Sequence, residues 1–397
     1  MCYKKHINFA ARGDTVKDRL FEKISELNEK YIGVWRDVCE IESPTGCKTG
    51  VDAVGEYFKA LARERGWKTD VFSEEKSGDV VVITMNPDAE GTPVSLSGHM
   101  DTVHEIGAFG YPAVRIEGDK IYGPGVTDCK GGIVAGFLAM DALYECGFNS
   151  RPVVMYLQSD EECGSKYSGG RTIERICEAA QGSAVFINLE CGDYDMLTLY
   201  RKGIADFYFT VKGVEAHSSL CAVSGANAIA EAAYKIIELE KFKDGKGLTV
   251  SCTVINGGSA HNIVPGECNF VANARFATNA QLEMIREYAQ SLAGEVKVEG
   301  CSSEVVLPGV RPAMEMTEER QALLGRMNEI WQKNGLSALS AGGATGGSDA
   351  ANVSVTGVPT VDGLGVIGGN LHRVDEYGII SSLELQAKRI ALIACYI

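Results

Sequence analysis

A chain of 397 residues, 45% hydrophobic and 23% charged, is long enough for two domains and a large buried core. Its formal net charge of −15 argues against a nucleic-acid partner, because holding phosphates calls for surplus Lys and Arg, and it equally disfavours an anionic membrane surface. No apolar stretch approaches the roughly 20 residues of a membrane span, residues 1–14 lack the apolar core of a secretory signal, and 13 scattered cysteines without paired metal-finger spacing suit free thiols in a reducing cytoplasm.

From Val16 to Val38 the apolar residues recur at helical spacing, through Leu20, Ile24, Leu27, Tyr31, Val34 and Trp35, which predicts a long amphipathic helix. Ser43-Pro44-Thr45-Gly46 is a turn. A second amphipathic helix is predicted over 51–65, with Gly66 suited to its C-terminal cap. Short apolar runs follow at 80–83, 94–96, 153–157 and 184–187, the later ones separated by helical stretches near 131–146 and 168–179. Alternation of this kind predicts an α/β fold, with a central mixed sheet flanked by helices and buried on both faces. In such sheets ligands gather beyond the carboxyl ends of the strands. His99, the Glu161-Glu162 pair and Glu190 each follow one of these runs, so they are expected together at one sheet edge.

Residues 203–307 read differently. Strands are predicted over 204–211, 248–255, 268–276 and 296–298, with helices over 226–239 and 281–292. The order is βαββαβ, the ferredoxin-like arrangement. We read an inserted domain at 203–311, between a first part of the α/β domain at 1–202 and its second part at 312–397. His372, in Asn-Leu-His-Arg, then returns to the first site from the far end of the chain.

Along this framework stand five residues of metal-binding type: His99, Asp128, Glu162, Glu190 and His372. Two imidazoles and three carboxylates are a natural ligand set for two divalent, zinc-like ions. Asp128 follows a Gly-Pro-Gly turn and precedes Gly131-Gly132. Alone it reads as a helix N-cap or as the carboxylate that two cations roughly 3.5–4 Å apart must share. Asp101 lies two residues past His99, so on an extended strand end its carboxylate points the same way and can fix the imidazole tautomer. Two adjacent carboxylates after a buried strand are costly unless a positive charge is near. Read alone, Glu161 and Glu162 are either solvated loop acids or a base beside a ligand. Taken with the rest, Glu162 is assigned to metal and Glu161 to general base, which points to metal-assisted hydrolysis. Gly-Pro-Gly-Val-Thr-Asp lacks the third glycine of a dinucleotide fingerprint, Gly46-Cys-Lys-Thr lacks phosphate-loop spacing, and no Gly-x-Ser-x-Gly elbow is present.

His99-x-Asp101-Thr-Val, Asp128-x-Lys-Gly-Gly, Asp160-Glu161-Glu162-x-Gly, Glu190, and His372 ahead of Asp-Glu-Tyr give the chain its resemblance to a known family. From about residue 20 to the end it resembles the co-catalytic zinc exopeptidases, which include glutamate carboxypeptidase, acetylornithine deacetylase, succinyl-diaminopimelate desuccinylase, aminoacylase and peptidase T. The glutamate carboxypeptidase branch is the nearest in pattern. The resemblance implies two zinc ions per subunit, with cobalt or manganese as substitutes. It also implies that the inserted domain is a lid and dimerisation domain, hence a homodimer. Gly213-Val-Glu-Ala-His217-Ser-Ser resembles a motif whose His reaches, often from the partner subunit, toward the substrate carbonyl, which makes His217 an oxyanion donor. Asn262 in His-Asn-Ile-Val-Pro and Arg275 in Asn-Ala-Arg-Phe resemble residues that hold the substrate's terminal carboxylate, a task suited to the Arg fork. Gly347 and Ser348 resemble a substrate-contacting loop, and the Asp128–Cys129 bond resembles one that is cis in the family. Cys129 stands where an aliphatic or Met is usual, Cys191 where Pro often follows the acid, and Ser348 where Thr is commoner. The expected function is carboxypeptidase-like cleavage of a peptide or N-acyl amide bond next to a free carboxylate. An N-acyl-amino-acid deacylase is the alternative, and a non-catalytic peptide-binding protein the distant one. The expected partners are a small peptide or N-acyl amino acid and a second copy of the chain.

Overall fold

The apolar spacing between Val16 and Val38 becomes one long helix, Gly13–Glu40, which lays Leu20, Ile24, Tyr31, Trp35 and Val38 into the core. Lys48–Arg65 is the second helix. Gly66 closes it in the left-handed conformation, φ 69°, with its N–H on the carbonyls of Ala62 and Arg63; a Cβ is strained there, so glycine ends the helix. These coordinates are a computed structural model that describes residues 13–243 and 245–397. They divide into two units: residues up to Leu199 with Met316–Gly343 and Ser348–Ile397, and Tyr200–Glu315 with Ala344–Gly347.

The first unit is built on a six-stranded sheet. Its spatial order is Lys68–Phe72, Val80–Met85, Val153–Gln158, Val94–His99, Val185–Asn188, Thr360–Val361. The first two pairings are antiparallel and the other three parallel, so the sheet is mixed. The strands at its centre are buried at nearly every residue, as a sheet covered on both faces requires. On one face Leu96, Met155 and Ile187 pack with the helices Gly13–Glu40, Lys130–Glu145 and Ile380–Tyr396. On the other, Val82, Val154, Tyr156 and Phe186 meet Ile173 and Ile176 of the helix Arg171–Ala179. Lys130–Glu145 is buried nearly all round, which explains why its sequence shows little amphipathic contrast.

The second unit pairs its strands antiparallel in the order Thr249–Gly257, Glu267–Phe276, Gly203–Lys212, Ser302–Val306. The helices Ala228–Leu239 and Asn279–Gly294 cover one face, giving the ferredoxin-like insert anticipated from the sequence. Alternate residues Phe207, Phe209, Phe270 and Ala272 turn inward. The facing rings of Phe209 and Phe270 stack at 4.6 Å. The strand that follows the second helix is Ser302–Val306, not 296–298 as the alternation there suggests, and a short strand Val310–Arg311 then also pairs with Gly203–Lys212. The N–H groups of Lys297 and Val298 donate instead to Glu231 Oε2, at 2.9 and 2.7 Å, so they have no ladder to join. Glu231 also pairs with Lys235 at 2.9 Å, both side chains 1% exposed or less. Lys235 in turn donates to the carbonyls of Leu292 and Glu295 at the end of the second helix.

Among the described residues the cysteines are free thiols, and no helix is long and apolar enough to cross a membrane.

Candidate metal centre

Four of the sequence-predicted residues stand at the carboxyl ends of three parallel neighbours in the first unit. His99 ends its strand, Glu161 and Glu162 follow Val153–Gln158, and Glu190 follows Val185–Asn188. Asp128 immediately precedes the helix Lys130–Glu145, and the Asp128–Cys129 peptide is cis. His372 comes from the loop before the strand Tyr377–Ile379. Its backbone is left-handed, φ 63°, and so is that of Asn370, φ 58°. Such a conformation costs a non-glycine residue about 1–2 kcal/mol and persists only where neighbouring bonds enforce it. Here the Arg373 N–H donates to the Asn370 carbonyl and the Glu376 N–H to that of Arg373, closing two successive turns.

The five side chains form two groups that share one member. Asp128 Oδ1 lies 3.0 Å from His99 Nε2, and Asp128 Oδ2 lies 3.1 Å from His372 Nε2. Glu190 Oε1 is 3.6 Å from the same His99 nitrogen, and Glu162 Oε2 is 3.4 Å from the same His372 nitrogen. Ligand atoms of His99, Asp128 and Glu162 all fall within 4.8 Å of one another. Burial pushes the Glu162 carboxyl up to about 7, even against the His372 bond that lowers it. Burial, then the neighbouring Asp128 charge, raises Glu190 well above the usual carboxylate range. Burial also acts against ionised Asp128, but His372 and His99 outweigh it and hold that carboxyl well below its ordinary value. Two carboxyls raised by burial, around a third lowered by two imidazoles, gather oxygen donors where positive charge is favoured. The set fits two divalent cations, with Asp128 between them.

Cys129 sits beneath this group. Its sulfur accepts the His99 N–H at 3.1 Å, and burial pushes the thiol up to about 12. It therefore packs as a neutral thiol under the strand end.

Asp101 departs from expectation in detail. His99 Nδ1 lies 2.9 Å from the Asp101 carbonyl oxygen and 3.4 Å from its carboxylate. The carboxylate, 0% exposed, instead accepts the main-chain N–H groups of Glu161 and Glu162, each at 3.1 Å, and the Thr45 hydroxyl at 2.7 Å. It anchors the acid pair more directly than the imidazole. In the sequence His104 carries no assigned role, Thr45 stands only as part of a turn, and Glu376 only as part of the acidic stretch after His372. Glu376 Oε1 accepts the N–H groups of Thr127 and Asp128, and its Oε2 meets His104 Nε2. An acid four residues past His372 was the available signal.

Ser348, expected at a substrate-contacting loop, is 0% exposed. Its hydroxyl donates to Asp362 Oδ2 at 2.7 Å and accepts from Asn188 Nδ2 at 2.9 Å. The side chain faces a buried polar network.

The remaining expected residues belong to the second unit. His217 is exposed, on the two-residue strand Ala216–His217 that pairs with Ile263–Val264. Its Nδ1 lies 2.8 Å from the Ser219 hydroxyl and 3.3 Å from the Ser219 N–H, so that side of the ring is engaged and Nε2 is the free nitrogen edge. The Asn262 carbonyl accepts the Ser218 N–H at 2.9 Å, which puts Asn262 beside His217. Arg275 projects from the strand Glu267–Phe276 on the face opposite the helices, and its Nε donates to Asn273 Oδ1 at 3.1 Å. At Gly347 a Cβ would lie 2.7 Å from Arg311 Cδ and 3.0 Å from Ile204 Cδ1, so a larger residue there would require those two side chains to shift.

Residues 199–301 match the family model for the peptidase dimerisation domain. Carboxypeptidase G2 of Pseudomonas sp. (strain RS-16) is 26% identical over 359 residues, 89% of this chain and 85% of that protein. Succinyl-diaminopimelate desuccinylase of Dinoroseobacter shibae is 26% identical over 315 residues, covering 72% and 79%. In structure, the chain superposes on the YXEP protein of Bacillus subtilis, a dinuclear metal binding peptidase from the M20 family, with a TM-score of 0.69 at 14% identity, over 94% of this chain and 98% of that one.

Proposed function

This chain belongs to the M20 peptidase family and is a hydrolase, and from that premise we propose that it cleaves a peptide or N-acyl amide bond next to a free carboxylate, in the manner of a carboxypeptidase. The observation that carries the reading is the placement of Asp128, whose two carboxylate oxygens face two different imidazoles, His99 and His372. We assign His99, Asp128 and Glu190 to one zinc ion and His372, Asp128 and Glu162 to a second. The ions would supply Lewis-acid polarisation of the scissile carbonyl and of the attacking water.

The chain's own residues do the rest. Glu161, buried and with its main chain fixed by Asp101, takes the proton from the attacking water and returns it to the leaving amine. His217 offers its Nε2–H to the developing oxyanion; the engagement of its Nδ1 side by Ser219 supports the role by orienting the ring. Arg275 and Asn262 hold the substrate carboxylate, and Gly347 belongs to a separate substrate-contacting loop. The fork geometry of arginine suits a planar anion.

A homodimer through the second unit is part of the reading. The strand Thr249–Gly257 is an edge of its sheet, with Val254 and Ile255 50% and 53% exposed. A bare apolar edge is a template for another strand, here that of a second copy. Free thiols and the acidic surface suit the cytoplasm. The likeness to a desuccinylase favours one second reading, an N-acyl-amino-acid deacylase using the same centre.

Amine release from a panel of dipeptides and N-acyl amino acids, with and without chelator and added zinc, tests the proposal. Chelator-sensitive release is expected, and the preferred member chooses between peptidase and deacylase. Release that ignores the chelator would overturn the metal assignment.

A further inference from the structure

The two groups of candidate ligands are supported unequally. His99 and Glu190 stand at the ends of central strands, where the sheet's own hydrogen bonds hold them. His372 stands on a loop, its ring 58% exposed and its backbone in the left-handed region. What holds that loop in place is Glu376, which is 1% exposed. One of its oxygens accepts the N–H groups of Thr127 at 2.9 Å and Asp128 at 3.1 Å. The other lies 2.9 Å from Nε2 of His104, itself 7% exposed and set edge-on against Phe109 with ring centroids 4.8 Å apart. Next to it, the Thr127 hydroxyl donates to the Tyr377 carbonyl at 2.7 Å. A single buried carboxylate thus joins three segments: the loop of His372, the turn of Asp128, and the stretch that follows His99 and Asp101.

We propose that Glu376, seated by His104, is a positioning residue that sets His372 and Asp128 at the spacing needed by the cation on the His372 side. The inference rests on the dinuclear reading above. It assigns Glu376 no contact with substrate. Its action is mechanical: an acceptor on the Asp128 N–H fixes the direction of that side chain, and the same acceptor pulls the short loop from His372 to Glu376 inward. Partners of this kind, one bond removed from the ligands, fix ligand orientation, and their loss weakens metal binding about 10- to 100-fold.

Zinc titration of the full chain against a competing chromophoric chelator reads both affinities, and the visible spectrum of the cobalt-loaded chain reads ligand geometry. The wild-type chain is expected to hold two zinc ions. Glu376→Ala should keep the first near its wild-type affinity and weaken the second about 10- to 100-fold, with an altered cobalt spectrum. Glu376→Gln, which retains an oxygen for the two N–H groups, should recover much of that loss. His104→Ala leaves those two bonds in place and should shift the second affinity in the same direction; it carries the test where Glu376→Ala does not yield folded protein. Asp119→Ala is the control, because Asp119 ties down Ser381 at 2.8 and 2.6 Å near the same loop. Unchanged affinities in the Glu376 and His104 variants would overturn the proposal and leave the dinuclear reading intact. So would an equal fall in both affinities that merely tracks a lower metal-free melting temperature. A wild-type chain that holds fewer than two zinc ions would overturn both.

Discussion

Asp101 Oδ1 accepts the main-chain N–H of Glu161 at 3.1 Å. Its other oxygen takes the N–H of Glu162 at the same distance. One buried carboxylate therefore sets the stretch that carries both the proposed base and a proposed ligand, and it does so from the end of the neighbouring parallel strand.

Asp101→Asn tests that relationship. An amide keeps one acceptor oxygen and turns an NH₂ toward the second N–H, so Glu161 and Glu162 lose their common anchor. Steady-state kinetics should show kcat lowered by about 10- to 100-fold, with two metals still bound by elemental analysis. Loss of metal with unchanged turnover per bound metal would return Asp101 to a role behind His99.

Glu161→Gln removes the proposed base while keeping its shape. Turnover should fall by about 10²- to 10⁴-fold, with KM and metal content close to those of the unmodified chain. Retained turnover would eliminate Glu161 from proton transfer.

Arg275→Ala should raise KM for substrates with a free carboxylate by about 10- to 100-fold, the size of a lost charge-assisted hydrogen bond of roughly 1.5–3 kcal/mol. Amidated versions of the same substrates should be nearly indifferent. An equal effect on both would show that Arg275 supports its sheet and not the substrate.

At the bare edge strand, Val254→Lys combined with Ile255→Lys should halve the mass seen by light scattering without altering the circular dichroism. Lysines on an edge strand oppose pairing with another strand. An unchanged mass would move the dimer contact elsewhere.

Glu231 supplies a pH dependence. Burial alone would raise its carboxyl, but Lys235 and the N–H groups of Val298 and Lys297 hold it below its ordinary 4.5. A lowered folded-state value means stability that is present above 4.5 and is lost as pH falls through the lower value. Breaking this buried pair with Glu231→Ala should cost about 3 kcal/mol at pH 7 in urea melts of the full chain. The gap between the two proteins should narrow in melts near pH 3. A gap that stays constant across that range would show that the pair contributes no pH-dependent stability.

The fold was legible wherever periodicity meets burial. Runs such as 94–96 and 153–157 read as strands because their burial on both faces leaves no polar alternation, and the acids and imidazoles just past them stood out against that background. Glu376, His104 and Thr45 were not legible in the same way. Two of the three bonds to the Glu376 carboxylate come from main-chain N–H groups nearly 250 positions away, and a main-chain donor has no letter in the sequence. The misplaced strand at 296–298 has the same origin: Val-Lys-Val alternates correctly, but Glu231, some 66 positions earlier, takes its N–H groups. The hydroxyl of Ser348 is likewise spoken for by Asn188 and Asp362, which no local pattern links to it.

The insertion of the second unit also sets an order of assembly. The ribosome delivers all of Tyr200–Glu315 before it delivers Thr360–Val361, the edge strand that completes the first unit's sheet, or the helix Ile380–Tyr396 that seals its core. The second unit has its own core and can form while the first is still open. His372 and Glu376 emerge after the second unit and the strand Thr360–Val361, and ahead of the helix Ile380–Tyr396. A growing chain therefore carries four of its five proposed ligands, and the acid pair beside them, with no closed centre. The proposed centre can therefore close only after His372 has emerged, by which time every residue of the second unit has been delivered.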